Sequence, residues 1–289
     1  MSARTMERVL IVGTGLIGAS VGLALRAAGF LGRIDGWDAS SLERAAAAQM
    51  GAIDSAAQSA EATLHIARFA DLIVLAAPVL AIKDWMQMLA PVVGAGQLLT
   101  DVGSTKLEIA ELGKTLFANS ESATFLPGHP MAGKESGGAM LAEAGLFQNA
   151  MWLFTPSTAE PSAIEKEWRD WVGFFGARSL DMDAARHDEL CAWVSHLPQM
   201  LSTALAALLE ETFGDAPEIG AIGARALRET TRLGASPYSM WRDVAMTNTG
   251  PIADTLSALE QRLAHMRENL RTPELRDEFA LANRFRSRG

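Results

Sequence analysis

RVLIVGTGLIGASVGLALRAAG, residues 8 to 29, decides how the rest of the chain is read. Residues 8 to 12 are a short apolar run ending in glycine, the pattern of a buried strand. Residues 16 to 28 show helical apolar spacing and are rich in alanine, and Gly29 supplies the stop. Between them lies Gly13-Thr14-Gly15-Leu16-Ile17-Gly18. Gly13 permits a tight turn, Gly15 lets backbone approach a pyrophosphate, and Gly18 lets the helix pack against the strand. Phosphates are expected on the free N–H groups where Leu16 and Ile17 open the helix.

Reading outward, RIDGWD at 33 to 38 is a second strand, and it ends on Asp38, about twenty residues past Gly18. An acid at that spacing can hydrogen-bond a ribose 2′-hydroxyl. Its charge repels a 2′-phosphate, and Ala39, Ser40 and Ser41 offer no arginine to compensate. The expected cofactor is therefore NAD rather than NADP. A helix follows at 41 to 51. Further strands are read at 70–78 (ADLIVLAAP), 96–104 (GQLLTDVGS), 123–130 (ATFLPGHP), 150–156 (AMWLFTP) and 177–183 (ARSLDMD), with a helix at 164–177. Strand and helix alternate, the pattern of a parallel sheet covered on both faces. The fold class is α/β, with a doubly wound Rossmann-type sheet over residues 1–183. Ala77, Pro78 and Gly103 follow strands at the cofactor edge and are expected to line it.

From residue 184 to 289 the pattern is all helical. HDELCAWVSHLPQMLSTALAALLEETF reads as one long helix interrupted near Pro198, and TNTGP at 247–251 as another helix start. Ile252, Leu256, Leu259, Leu263, Met266 and Leu270 recur at spacings of four and three. That stripe either packs within its own domain or meets a second subunit.

Net charge is −9, which argues against a nucleic-acid partner. An anionic substrate would need a local basic pocket. Hydrophobic residues make up 49%, enough to bury a core. The single cysteine, Cys191, allows no internal disulfide and suits a reducing cytoplasm. The N-terminal stretch lacks the layout of a secretory signal. The longest apolar run, Val9 to Leu25, is broken by glycines, so no membrane span is expected. No metal site is expected.

FLPGHPMAGKESGG, 125 to 138, is too glycine-rich for a good helix and too broken by proline for a central strand. It opens at the sheet edge where ligands bind, which puts His129 where substrate meets nicotinamide. A histidine there is either a proton acceptor near neutral pH or a structural loop residue. Ser104, ending TDVGSTK at the same edge, is expected beside His129, orienting its imidazole.

GTGLIGAS, ADLIVLAAP, TDVGSTK, GHPMAGKESG, HDELCAWVSHLP and TTRLGASPYSMWRD, in this order, resemble the prephenate/arogenate dehydrogenases of tyrosine biosynthesis. The resemblance runs from about residue 8 to 270. It implies a Rossmann domain followed by an all-α dimerisation domain, and hence a homodimer whose interface covers the heptad-like stripe. It implies oxidative decarboxylation of prephenate, or of arogenate, with NAD. Carried over residue by residue, His129 is the catalytic histidine and Ser104 the serine sharing its bond to the ring hydroxyl. His196 is a substrate-site histidine, Arg232 binds a substrate carboxylate, and Glu135 and Trp241 lie near the substrate. Glu135 is otherwise a solvated loop charge, Trp241 plain core, and Arg225 and Arg228 either add positive potential or face water. Two departures stand out. Gln199 replaces the second histidine of the relatives' SHLPH, and Lys134-Glu135-Ser136 follows HPMAG where Thr-Glu is common. No regulatory extension or mutase domain is expected, so feedback by tyrosine would act at the active site. A β-hydroxyacid dehydrogenase reading would need a lysine in the helical half, and residues 184–289 contain none. An NAD-sensing or scaffold protein would have no need of His129, Ser104, His196 and Arg232 together.

Overall fold

The computed structural model describes residues 6–119, 121–134, 136–158 and 160–288. Its first half is built on a six-stranded parallel sheet of order β3-β2-β1-β4-β5-β6. The strands are β1 (Arg8–Val12), β2 (Arg33–Trp37), β3 (Ser55–Ala56), β4 (Leu72–Leu75), β5 (Leu98–Asp101) and β6 (Thr124–Leu126). Between them run α1 (Leu16–Ala27), α2 (Ser41–Gln49), α3 (Ala60–Ala67), α4 (Val79–Leu89) and α5 (Leu107–Leu116). The order reverses at β1, which has β2 on one side and β4 on the other. Such a reversal leaves a crevice beyond the carboxyl ends of the strands. Val12 lies level with Trp37 and Leu75, and Leu75 with Asp101. The glycine turn, Asp38, Ala77 and Gly103 therefore share one edge.

Both faces of the sheet are buried, which explains why its strands read as continuous apolar runs. Val9, Ile11, Leu72 and Val74 join Val21, Leu25, Trp152 and Trp168 on one face. Leu10, Val12, Ile73 and Leu75 join Ile82, Trp85, Met86 and Ile109 on the other.

ATFLPGHP does not form one strand. β6 stops at Leu126, and β7 (Gly128–Pro130) leaves for a second sheet of order β7-β8-β9 with β8 (Met151–Phe154) and β9 (Arg178–Asp181). β7 pairs antiparallel to β8. The break falls at Pro127, whose ring removes the N–H a continued ladder needs. α6 (Ala163–Phe174) packs on this sheet.

The second half comprises α7 (Ala184–Cys191), α8 (Leu197–Phe213), α9 (Pro217–Ile222), α10 (Arg225–Thr231), α11 (Tyr238–Thr247), α12 (Thr249–Glu268) and α13 (Pro273–Arg286). The interruption expected near Pro198 is a change of winding rather than a break. A π-turn at Ala192–His196 joins α7 to α8, and Pro198 falls in the first turn of α8. Of the stripe only Ile252 is buried, while Leu263 of α12 and Leu270, just past its end, stand exposed. No described helix is long and apolar enough to cross a membrane.

Candidate active site

The glycine turn separates into two structural positions and one open one. Gly13 sits at φ +95°, and a Cβ there would come within 2.3 Å of the Ala76 carbonyl oxygen. A Cβ on Gly18 would meet the Gly13 carbonyl at 1.8 Å. Both must be glycine for strand and helix to close up. A Cβ on Gly15 would meet nothing within 4 Å, so packing does not demand glycine there and the space above it is free for a ligand. Gly15 precedes α1, whose first turn has no side-chain cap and no acidic residue. The N–H groups opened by Leu16 and Ile17 thus remain available to an anion.

Asp38 ends β2 beside this turn. Its Oδ2 accepts the Thr14 N–H at 2.9 Å and its Oδ1 the Ser40 N–H at 2.9 Å. One arginine does reach this corner. Arg44, one turn into α2, donates to the Asp38 carbonyl. Arg44 lies six residues past Asp38, beyond the Ala39-Ser40-Ser41 stretch that adjoins the strand end. Pro78 caps α4 without a side-chain bond, and Asp243 of α11 reaches across to accept the Leu80 N–H at 3.2 Å. The helical half therefore closes onto the nucleotide edge.

Asp101, at the end of β5, organises the next stretch. Its Oδ2 accepts the Gly103 N–H at 2.7 Å, its Oδ1 the Gly128 N–H at 3.2 Å, and Lys106 pairs with it. Both partners are fully buried. One carboxylate thus fixes the backbone beside Ser104 and the backbone beside His129. Burial raises the Asp101 carboxyl above its ordinary range, against the pull of the Lys106 ammonium and the two N–H groups.

His129, on β7, is 8% exposed. Its Nδ1 lies 2.9 Å from Nε2 of His187 on α7. His187 Nδ1 lies 2.8 Å from Oδ1 of Asp188. Asp188 also accepts the Lys106 N–H at 2.7 Å and the Leu107 N–H at 2.9 Å. Among the described residues, the bond expected from Ser104 is made by His187. Ser104 is half-buried at the same edge and makes no hydrogen bond to the ring. HDELCAWVSHLP contains the pair His187-Asp188, but nothing in one sequence signals that α7 docks against β7. Burial, then the neighbouring His187 and Lys106, hold the His129 imidazole well below the usual 6.5. It is neutral at neutral pH. With the Asp188 carboxylate as acceptor, His187 carries its proton on Nδ1 and accepts at Nε2. His129 then carries its proton on Nδ1, and its Nε2 keeps a lone pair.

The other residues attach to the same frame. Asn248 Nδ2 donates to the Asp188 carbonyl at 2.9 Å and lies 3.1 Å from His196 Nδ1. His196 is 1% exposed, and burial lowers its pKa to about 4. Trp241 stands edge-on to it, with ring centroids 5.8 Å apart. His196 Nε2 and Trp241 Nε1 are both buried, and neither has a hydrogen-bond partner among the described residues. Gln199, one turn past His196, donates to the Leu233 carbonyl at 2.7 Å and accepts from Ser236. This docks the short 3-10 turn Arg232–Ala235 on α8, with the Arg232 side chain on its exposed side. Arg225 and Arg228 face water, the former paired with Glu229. Glu135 lies outside the described residues. A separate cleft of about 230 Å³ between Met6, Asp71, Thr124 and Ser162 offers one carboxylate and no histidine or arginine.

The family model "Prephenate dehydrogenase, nucleotide-binding domain" matches residues 21–179, and "Prephenate dehydrogenase, dimerization domain" matches 183–284. The prephenate dehydrogenase of Lactococcus lactis subsp. cremoris is 31% identical over 281 residues, covering 97% of this chain and 75% of its own length. The prephenate dehydrogenase of A. aeolicus, solved with hydroxyphenyl propionate and NAD+, superposes with TM-score 0.85 at 25% identity, over 99% of this chain and 97% of that one. The arogenate dehydrogenase of Synechocystis superposes with TM-score 0.77 at 29% identity, over 97% and 99%. The two matched regions take in five of the six strands of the main sheet, all but β1, and nearly all of the helical half, and the chain belongs to the prephenate dehydrogenase family.

Proposed function

We propose that this protein oxidatively decarboxylates prephenate to 4-hydroxyphenylpyruvate with NAD, the close alternative being arogenate as substrate. The observation that carries the reading is the His129–His187–Asp188 chain, which leaves one imidazole lone pair beside a nucleotide edge. The residues fit the cofactor. Gly15 leaves open space, the first turn of α1 is uncapped, and Asp38 offers a carboxylate where a ribose would lie. Gly13, Gly15, Leu16, Ile17, Gly18, Asp38, Ala77, Pro78 and Gly103 would hold NAD, which when bound supplies the hydride acceptor.

The chain's own task is then small, because the ring becomes aromatic as it loses hydride and CO2. His129 Nε2 takes the proton of the ring hydroxyl. Charge developing on that imidazole is spread through His187 toward Asp188, so a base of depressed pKa still serves in the transition state. Ser104, at the end of the same loop, shares the hydroxyl. His196 and Trp241 supply buried N–H groups that await an acceptor, and a substrate carboxylate or carbonyl is one. Arg232 offers a planar fork for a carboxylate. We place the boundary between nucleotide domain and helical domain at 183/184, where α7 begins. The helical domain would pair two copies into a homodimer, covering the exposed Leu263 of α12 and Leu270 just past its end. Use of NAD and a lone unpaired cysteine support a cytoplasmic site of action.

Steady-state formation of NADH on adding prephenate, and separately arogenate, tests the proposal and separates the two substrates. NAD binding without NADH from either would overturn it in favour of a sensor.

A further inference from the structure

α7 carries His187 and Cys191 one turn apart, so both side chains lie on one face of the helix. Cys191 Sγ is 3.5 Å from His187 Nε2, and His129 Nδ1 is 2.9 Å from that same nitrogen. One ligand atom from each of the three residues falls within 4.8 Å of the others, and all three side chains are buried. Zinc bonds nitrogen at about 2.0–2.1 Å and thiolate sulfur at about 2.3 Å, which sets tetrahedral N–N and N–S separations of about 3.3 and 3.5 Å. The sulfur is already at that distance from His187 Nε2, and it lies within 4.8 Å of His129 Nδ1, an edge that closes by up to about 1.3 Å on binding. The two imidazoles need to part by only about 0.4 Å.

The surroundings match as well. A metal-binding histidine normally gives its second ring N–H to a carboxylate, which fixes the tautomer and raises the ligand's basicity. His187 does so toward Asp188, and Asp188 is itself held by the Lys106 and Leu107 N–H groups. A soft thiolate with two imidazoles selects zinc-class cations over magnesium or calcium.

We propose that His129 Nδ1, His187 Nε2 and Cys191 Sγ form a binding site for a thiophilic divalent cation of the zinc class, and that its occupancy reversibly switches off the proton acceptor. On binding, the Cys191 thiol loses its proton to solvent as the metal–sulfur bond forms. The His129 proton moves from Nδ1 to Nε2 as the metal takes Nδ1. Nε2 is then a donor and cannot accept a proton from a hydroxyl. The fourth coordination position stays open to water. The switching half rests on His129 acting as the base; the binding half does not.

The test uses metal-free full-length protein titrated with cobalt(II) as a spectroscopic probe and with zinc in activity assays. The expected result is one cobalt per subunit with a thiolate-to-metal charge-transfer band, displaced by zinc. Zinc should inhibit turnover, with recovery on adding EDTA. Cys191→Ser and Cys191→Ala should lose the band and raise the half-inhibitory zinc concentration at least tenfold, while keeping activity in metal-free buffer. Cobalt binding without a thiolate band, or zinc inhibition unchanged in both variants, overturns the proposal. A band in a protein inert toward both ring substrates would support the site while counting against the proposed reaction.

Discussion

His129 Nδ1 and His187 Nε2 are 2.9 Å apart, and that hydrogen bond joins a strand of the second sheet to the first helix of the helical half. His129→Asn is expected to lower turnover by roughly 10²–10⁴-fold, the usual contribution of a positioned acid or base, with NAD affinity unchanged. His187 acts through His129, so His187→Ala should cost less, at or below about 10²-fold. It should lower kcat more than it raises KM and move the acid limb of the pH profile. Stopped-flow turnover and fluorescence titration of NAD measure both. Unaltered turnover in His129→Asn would remove the base from the scheme.

Activity should hold well to the acid side of an ordinary histidine. Burial keeps the His129 pKa below 6.5, so the free base persists as the pH falls through 6.5, and kcat/KM should decline only at lower pH. Stability has its own acid limb. His196 titrates near 6.5 when unfolded but near 4 in the fold. Between those values the unfolded chain binds a proton that the native chain does not, so stability falls as pH drops through that window. Denaturant midpoints at pH 7 and pH 5 should show the loss, and His196→Asn should reduce it.

The wild-type enzyme should prefer NAD strongly over NADP. In Asp38→Ala the repelling carboxylate goes, while Arg44 remains beside the same corner. The variant is expected to gain NADP turnover as well as lose NAD preference. Asp38→Ala with Arg44→Ala should lose the NAD preference without that gain. Equal kcat/KM for the two cofactors in the wild type would contradict the assignment of Asp38.

Asp101 and Lys106 form an ion pair with no solvent access. Removing one partner strands a buried charge, which typically costs about 3–5 kcal/mol. Lys106→Met should lower the unfolding free energy by about that much, and replacing both residues with apolar ones should recover part of the loss. Urea unfolding at neutral pH reads both. Activity in the double variant should stay low, because the Gly103 and Gly128 N–H groups lose their shared acceptor.

The nucleotide half was largely legible in advance because its signals are local. Gly13 turns the chain at a positive φ, Gly18 answers to the Gly13 carbonyl five residues away, and the buried strands announce themselves by composition. The split of ATFLPGHP at Pro127 and the two-residue strand β3 were not legible, since sheet membership depends on partners far away in sequence. The same limit hid the relay behind His129. Asp101, Lys106, His187 and Asp188 all lie inside motifs that stood out in the sequence. Their roles come from bonds spanning up to 82 positions. In sequence, Ser104 is the nearer candidate for the imidazole's partner because it follows the end of β5. The actual partner arrives on a helix from the other half of the chain.

Asp188 binds Lys106 and Leu107 through its carboxylate, His187 through the same group, and Asn248 through its carbonyl. The two halves of this chain are therefore not interchangeable parts. A chimaera that grafts a relative's helical half onto this sheet keeps its chemistry only if the graft brings matching counterparts of His187, Asp188 and Asn248 together, and drift at any one of them constrains what the others can become.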